Sequence, residues 1–236
     1  MRKVIKLILS LIIIISLGII IYKCYLYYLD NKTYSEIKKN KPEVVDFKNN
    51  RNGKSLNEEK LLNINNDYKF WLTISNTDVD YPVVQCDNND FYLEHDFNKG
   101  YSISGTLFVD YRNDIEEDKN IIIYGHNMRN GTMFNNINKF KDKDFFTNNY
   151  ISIIKNNREY KYEVFSVYVI SEEEVSFRIN FKDNDEYLKY LEELNEKSLY
   201  KKEGAEKNRD SNIITLITCS YEYDNARTII HAKLLK

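Results

Sequence analysis

The chain has 236 residues, and its 34 Lys+Arg against 36 Asp+Glu leave a formal net charge of −2. That balance excludes a generic binder of nucleic acid or another polyanion. At 42% hydrophobic with 7 Gly and 2 Pro the sequence is neither collagen-like nor low-complexity, and its 14% aromatic content, mostly Tyr, favours a strand-rich domain over a coiled coil.

The first element is apolar. From Leu7 to Tyr22 there is no charge, and a helix over that run spans roughly 24 Å, short of a ~30 Å hydrocarbon core. Extension from Val4 to Tyr28, with Lys6 and Lys23 reaching to the two interfaces, makes it long enough to cross. Tyr22, Tyr25, Tyr27 and Tyr28 then fall where an interfacial aromatic belt belongs, and Arg2, Lys3 and Lys6 hold the N-terminus in the cytoplasm. The alternative, a cleaved signal peptide, lacks an A-x-A-like site after the apolar run. The expected organisation is therefore a single-pass anchor over 1–29, a polar stalk over 30–54, and one exported domain over 55–236.

The domain opens with Ser55-Leu56-Asn57-Glu58, a capping-box pattern ahead of Leu61, Leu62 and Ile64, which predicts a short helix. Eight β-like runs follow: Phe70–Ile74, Tyr81–Gln85, Gly105–Val109, Asn120–Tyr124, Tyr150–Lys155, Glu159–Ile170, Asn212–Thr218 and Arg227–Leu235. Separated by Asn/Asp-rich turns, they predict a closed or sandwiched β architecture. Phe134, Ile137 and Phe140 recur every three residues and predict a short amphipathic helical turn. Asp185–Tyr200 carries Tyr187, Leu188, Leu191 and Leu194 on one face and predicts a longer helix covering one side of the strands.

Chemistry gathers at the end of the chain. Cys219 closes the apolar run NIITLIT before the polar loop 220–226, and Arg227 opens the next apolar run. If the two strands pair antiparallel, the guanidinium comes beside the sulfur, where a cation lowers thiol pKa and stabilises an oxyanion. A small buried cysteine and a rim arginine remain an equal alternative on this evidence. A base would decide it, and there are three histidines. His126 ranks first, at the end of Asn120–Tyr124, with Gly125 read as allowing a sharp turn. His231 ranks second, since it shares a strand face with Arg227 but lies about 13 Å further along. His95, in an acidic loop, ranks last. Cys86 lies among Asp87, Asn88, Asn89 and Asp90, carboxylates that oppose thiolate formation, so it reads as an incidental or structural thiol, with a disulfide to Cys219 as the minority view. No metal-ligand spacing, P-loop or dinucleotide fingerprint occurs, so no metal and no cofactor is expected. Asp110, Asp114, Glu116, Glu117 and Asp118 read as a solvated loop rather than a cation site.

Taken together, TLITCSYE at 215–222, ARTIIHAKL at 226–234, YGHNMRNGTMF at 124–134, GTLFVDYRN at 105–113 and YPVVQ at 81–85 with Phe91-Tyr92-Leu93 resemble the sortases, most of all class B. The resemblance covers roughly residues 55–236. It implies a closed barrel of about eight strands, with an N-terminal helix and a long helix before the cysteine strand. It further implies Cys219 as nucleophile, His126 as general acid/base, Arg227 as the oxyanion or substrate-positioning group, and Asn89 and Leu93 as peptide-contacting positions beside a wall formed by residues 171–181. The implied enzyme cleaves a C-terminal sorting motif of surface proteins after Thr. It holds the product as a thioacyl-enzyme and transfers it to an amine of peptidoglycan or its lipid-linked precursor, outside the membrane. Activation matters because, for a thiol of about 8.5 and an imidazole of about 6.5, the thiolate–imidazolium pair is only ~1% of the neutral pair. A mainly hydrolytic thiol peptidase is separable by whether an added amine diverts product from acid to amide. A non-enzymatic surface-binding module predicts an unreactive Cys219.

Overall fold

The computed structural model describes residues 2–44, 55–202 and 211–235, and each of the eight predicted strands forms within it. They are β1 (Tyr68–Ile74), β2 (Asp80–Val84), β3 (Leu107–Val109), β4 (Asn120–Tyr124), β5 (Tyr150–Lys155), β6 (Arg158–Ser171), β7 (Ile213–Cys219) and β8 (Ala226–Leu234). Hydrogen bonds close them into a barrel in the order β1-β2-β3-β4-β7-β8-β6-β5, so that no open edge is left. β4 and β7 run parallel. A parallel pair needs a long crossover, and the chain between them supplies β5, β6 and the helices described below.

The period-two pattern sorts the strand residues onto two faces. Ile121 and Ile123 of β4, Ile214 and Leu216 of β7, and Ile230 and Ala232 of β8 belong to the main core inside the barrel. Their alternates Ile122, Ile217 and Ile229, with Tyr168 of β6, form a second cluster on the outer face, covered by Phe177 and Ile179 from the segment that follows β6. Cys219 and Arg227 lie two residues beyond Ile217 and before Ile229, and so share this outer face.

Among the described residues there are four α-helices: α1 (Arg2–Lys38), α2 (Leu56–Ile64), α3 (Lys143–Asn148) and α4 (Asn184–Lys197). Both halves of the predicted capping box form at α2, between Ser55 and Glu58. α4 starts on an Asp183 cap and buries Tyr187, Tyr190, Leu191 and Leu194. The three-residue spacing of Phe134, Ile137 and Phe140 belongs to a 3₁₀ helix over Phe134–Lys141, whose eclipsed i, i+3 face seals one barrel end with all three side chains fully buried. α3 was not anticipated, because its six residues are too few to show a period.

The expected stalk is the principal difference. α1 does not stop at the apolar run but continues to Lys38, and Asp30, Tyr34 and Ile37 are buried against the barrel. The Tyr34 hydroxyl donates to the Gly105 carbonyl at 2.5 Å, and the Ser104 amide donates to Asp30 at 3.1 Å. A polar segment with three properly spaced inward positions is thus a docking face rather than a tether. Residues 45–54 of the predicted stalk lie outside the described residues. α1 is long and apolar enough to cross a membrane, and its apolar stretch is fully exposed.

Candidate active site

Strand register assembles the site. Cys219 and Arg227 are direct partners across the antiparallel β7·β8 pair, which sets their Cβ atoms about 5 Å apart on one face. On the other side of β7, Tyr124 of β4 is level with Ile217, so two residues onward His126 is level with Cys219. Pairing persists past the strand end: the Gly125 amide donates to the Ile217 carbonyl at 3.1 Å, Thr218 Oγ1 to the Gly125 carbonyl at 2.6 Å, and Asn127 Nδ2 to the Cys219 carbonyl at 2.7 Å. Cys219 thus lies level with Arg227 on one neighbouring strand and beside the extension of β4 that carries His126 on the other. Gly125 serves close packing rather than the sharp turn expected of it. Its backbone is not in a left-handed conformation, and an added Cβ would come within 2.3 Å of Leu107 and 2.7 Å of Phe134.

Each flanking group is held. His126 Nε2 lies 2.7 Å from the Leu93 carbonyl. A carbonyl only accepts, so Nε2 carries the proton and Nδ1 is the basic nitrogen of the neutral ring. Arg227 donates from Nη2 to Glu172 Oε2 at 2.7 Å and from Nη1 to the Ala226 carbonyl at 3.1 Å.

The predicted peptide-contacting residues lie on the connection between β2 and β3. Leu93 ends a 3₁₀ turn over Phe91–Leu93, and its backbone positions the imidazole. Asn89 donates to Asp110 at 3.2 Å and accepts from the Tyr111 amide at 3.0 Å. Asp110 also accepts from the Tyr124 hydroxyl at 3.0 Å and pairs with Arg112 through both carboxylate oxygens at 2.8 Å. Burial raises the Asp110 carboxyl, but the Arg112 and Tyr124 donors outweigh it and hold the group below the usual carboxylate range. Asp110, Asp114 and Asp118 thus accept from the backbone, Asn113 and Arg112, not as a simple solvated loop.

The other histidines are occupied elsewhere. His231 is fully buried between Thr215 and Tyr168, and burial drives its pKa down to about 3. His95 stacks on Phe91 at 4.0 Å and contacts the Phe91 carbonyl through Nδ1. Cys24, Cys86 and Cys219 are all free thiols, so the minority disulfide does not form. Burial chiefly, with Asp67 and Asp87, raises the Cys86 thiol pKa, and the thiol donates to the Asn88 carbonyl at 3.3 Å. Sequence reasoning did not single out Asn127, although it follows His126 directly, nor Glu172, which stood within the predicted wall.

Comparison with known proteins places the chain among relatives. The sortase domain family model matches residues 72–235. Sortase B of Listeria monocytogenes is 38% identical over 194 residues, covering 79% of this chain and 77% of the relative. Sortase B of Staphylococcus aureus is 31% identical over 182 residues, with 75% and 74% covered. Among solved structures, a mutant form of Clostridium perfringens sortase B superposes with a TM-score of 0.81 at 39% identity, covering 88% of this chain and 99% of that one. Sortase B of Bacillus anthracis in complex with AAEK1 gives 0.77 at 32% identity, covering 90% and 99%. The Staphylococcus aureus sortase B–substrate complex gives 0.75 at 26% identity, covering 89% and 97%.

Proposed function

The chain belongs to the sortase family of cysteine transpeptidases, in its class B branch, and on that footing we propose that Cys219, His126 and Arg227 carry out the transfer of a surface protein to the cell wall. The observation that supports this most directly is the register, which sets Cys219 level with Arg227 on β8 and with His126 beyond β4.

In this reading Cys219 Sγ attacks the carbonyl carbon of a Thr in a C-terminal sorting motif. The thiol proton passes to His126 Nδ1, the ring keeping its Nε2–H bond to Leu93 throughout. Negative charge on the carbonyl oxygen is met by the Arg227 guanidinium, whose orientation is fixed by Glu172 and the Ala226 carbonyl. Collapse breaks the C–N bond, His126 returns the proton to the leaving amine, and a thioacyl-enzyme remains. A peptidoglycan or precursor amine then releases it. Asn89, Leu93 and the segment 171–181 border the groove for the sorting peptide, with Tyr124 between them. Residues 1–29 anchor the enzyme with the N-terminus cytoplasmic and the barrel outside.

The test is a panel of Thr-containing pentapeptides presented to the full chain in detergent, with and without an amine acceptor. Mass spectrometry should find an acyl adduct on Cys219, and added amine should divert product from acid to amide. Normal cleavage by Cys219→Ala would sink the assignment.

A further inference from the structure

We propose that Asp110 is a positioning residue for the sorting-peptide groove: it fixes which polar atoms of Asn89 and Tyr124 donate toward the peptide and which accept. This rests on the reading of Asn89 and Tyr124 as bordering that groove, and extends it to the group that orients them.

Asp110 follows β3 directly, and its side chain is fully buried, whereas that of its ion-pair partner Arg112 is 51% exposed. The backbone holds it in place: its amide donates to the Ile122 carbonyl of β4 at 2.9 Å, and its own carbonyl accepts from the Asn113 amide and from Gln85 Nε2, each at 3.0 Å. The carboxylate is then shared out oxygen by oxygen. Oδ1 accepts from the Arg112 amide at 3.0 Å and from Arg112 Nε at 2.8 Å. Oδ2 accepts from Arg112 Nη2 at 2.8 Å, the Tyr124 hydroxyl at 3.0 Å and Asn89 Nδ2 at 3.2 Å. An ionised carboxylate only accepts, so every one of these groups points a proton at it. Because Tyr124 and Asn89 donate to the same oxygen, their donor atoms lie within about 6 Å of each other, twice a hydrogen-bond length. Tyr124 also packs against the outer-face cluster of Ile217 with Phe177 and Ile179 nearby, on the face that Cys219 shares. One buried carboxylate therefore ties the β2–β3 connection to the strand that leads into His126.

The consequence is a fixed polarity. Asn89 donates to Asp110 at one end of its amide and accepts from the Tyr111 amide at 3.0 Å at the other, so the amide is locked against a flip and keeps one N–H and one oxygen lone pair free. The Tyr124 ring is stacked on Phe108 at 5.3 Å, and its proton is turned to Asp110, so its oxygen offers only lone pairs. Both side chains are half-buried and keep an open side. In Asp110→Asn the Arg112 amide still requires an acceptor at Oδ1, so an NH2 group takes the place of Oδ2. Tyr124 then turns its proton away, and Asn89 can accept from the NH2 only by flipping its amide and giving up the Tyr111 bond. Both residues present the wrong group to the peptide, while nothing that holds Cys219, His126 or Arg227 is altered.

The test uses the full chain in detergent and the donor pentapeptide that it cleaves best. Asp110→Asn should raise KM about tenfold, through misoriented hydrogen-bonding groups in the groove, and leave kcat within about twofold. Alkylation of Cys219 by iodoacetamide needs no peptide groove and should keep the rate of the unmodified chain, which reports an intact fold and thiol. Arg112→Lys, a change at an exposed side chain, loses the two-point grip on the carboxylate and should raise KM about threefold. In an Asn89→Ala, Tyr124→Phe background Asp110→Asn should add less than about twofold, because the groups that it orients are gone. A KM rise that persists in full in that background overturns the proposal, as does a Cys219 alkylation rate that falls along with it. Unchanged KM in Asp110→Asn overturns it as well, and if that variant shows no urea transition, unchanged KM in Arg112→Lys does so alone. Absence of any thioester on Cys219 in the unmodified chain overturns the reading of the enzyme and this proposal with it.

Discussion

Cys219 and Cys86 are both half-buried free thiols, but their surroundings differ. Cys86 has burial and two carboxylates acting against ionisation, so alkylation monitored by mass spectrometry should leave it slow at pH 7 and up to pH 9. Cys86→Ser should retain most transpeptidation, whereas Cys219→Ala should abolish acyl-enzyme formation. Arg227→Lys keeps the charge but loses a planar fork that addresses Glu172, the Ala226 carbonyl and the developing oxyanion together. A fall in kcat/KM of roughly a hundredfold is expected, the scale of a lost oxyanion donor. Glu172→Gln should cost less than about fivefold, because its ion pair is 56% exposed on the carboxylate side and such pairs contribute little. A Glu172 effect as large as that of Arg227 would show that the carboxylate itself touches the reacting groups.

Strands β4, β7, β8 and β6 are tied by one side chain each. Asn120, Thr215, His231 and Tyr168 form a buried relay in which Thr215 donates to Asn120 at 2.7 Å, leaving its oxygen to accept from His231 Nδ1–H at 2.8 Å. His231 Nε2 then accepts from the Tyr168 hydroxyl at 2.9 Å. The relay suits only the neutral ring, which agrees with a folded pKa of about 3 against 6.5 in the open chain. A depressed imidazole pKa means that the unfolded chain binds the extra proton. This contribution is therefore fully present above about pH 6.5 and is lost as pH falls toward about 3, at roughly 1.4 kcal/mol per pH unit. Urea unfolding at pH 7 and pH 5 should reveal that slope, and His231→Phe should flatten it. Thr215→Val should cost about 1–3 kcal/mol at pH 7, since it strands two buried partners at once.

At the scale of the molecule, the apolar stretch of α1 runs into its barrel-docked turns without an intervening linker. Asp30 already touches the barrel two residues beyond Tyr28, a rise of only about 3 Å. Tyr34 stacks edge-on to Tyr81 at 5.4 Å, and Ile37 enters the main core. Tyr27 also packs against the main core, so removing residues 1–25 should leave barrel stability unchanged. Removing 1–40 should cost on the order of 3 kcal/mol, from the lost burial of Tyr34 and Ile37, read as a lower urea midpoint. Equal midpoints for the two truncations would mean that the docked turns hold nothing together.

The sequence by itself determined the eight strands, the capping box at α2 and the long helix before β7, because alternation, cap chemistry and a helical stripe are local and survive in one dimension. It also set Cys219 opposite Arg227, since a hairpin joining two apolar runs carries its own register across a short loop, and nominated His126 only from its place at a strand end. Barrel closure was not local: it depends on β4 pairing in parallel with a strand some ninety residues away. That pairing brings β4 alongside the cysteine strand and Asn120 onto Thr215, while the β7·β8 and β6·β8 pairings give His231 its partners Thr215 and Tyr168. Tertiary packing likewise converted the stalk of residues 30–38 into a docked helix, set Gly125 against Leu107 and Phe134, and turned the Leu93 backbone into the partner of the imidazole. In each case the deciding neighbour is distant in the chain, so its hydrogen bond or contact leaves no pattern in the residues around it.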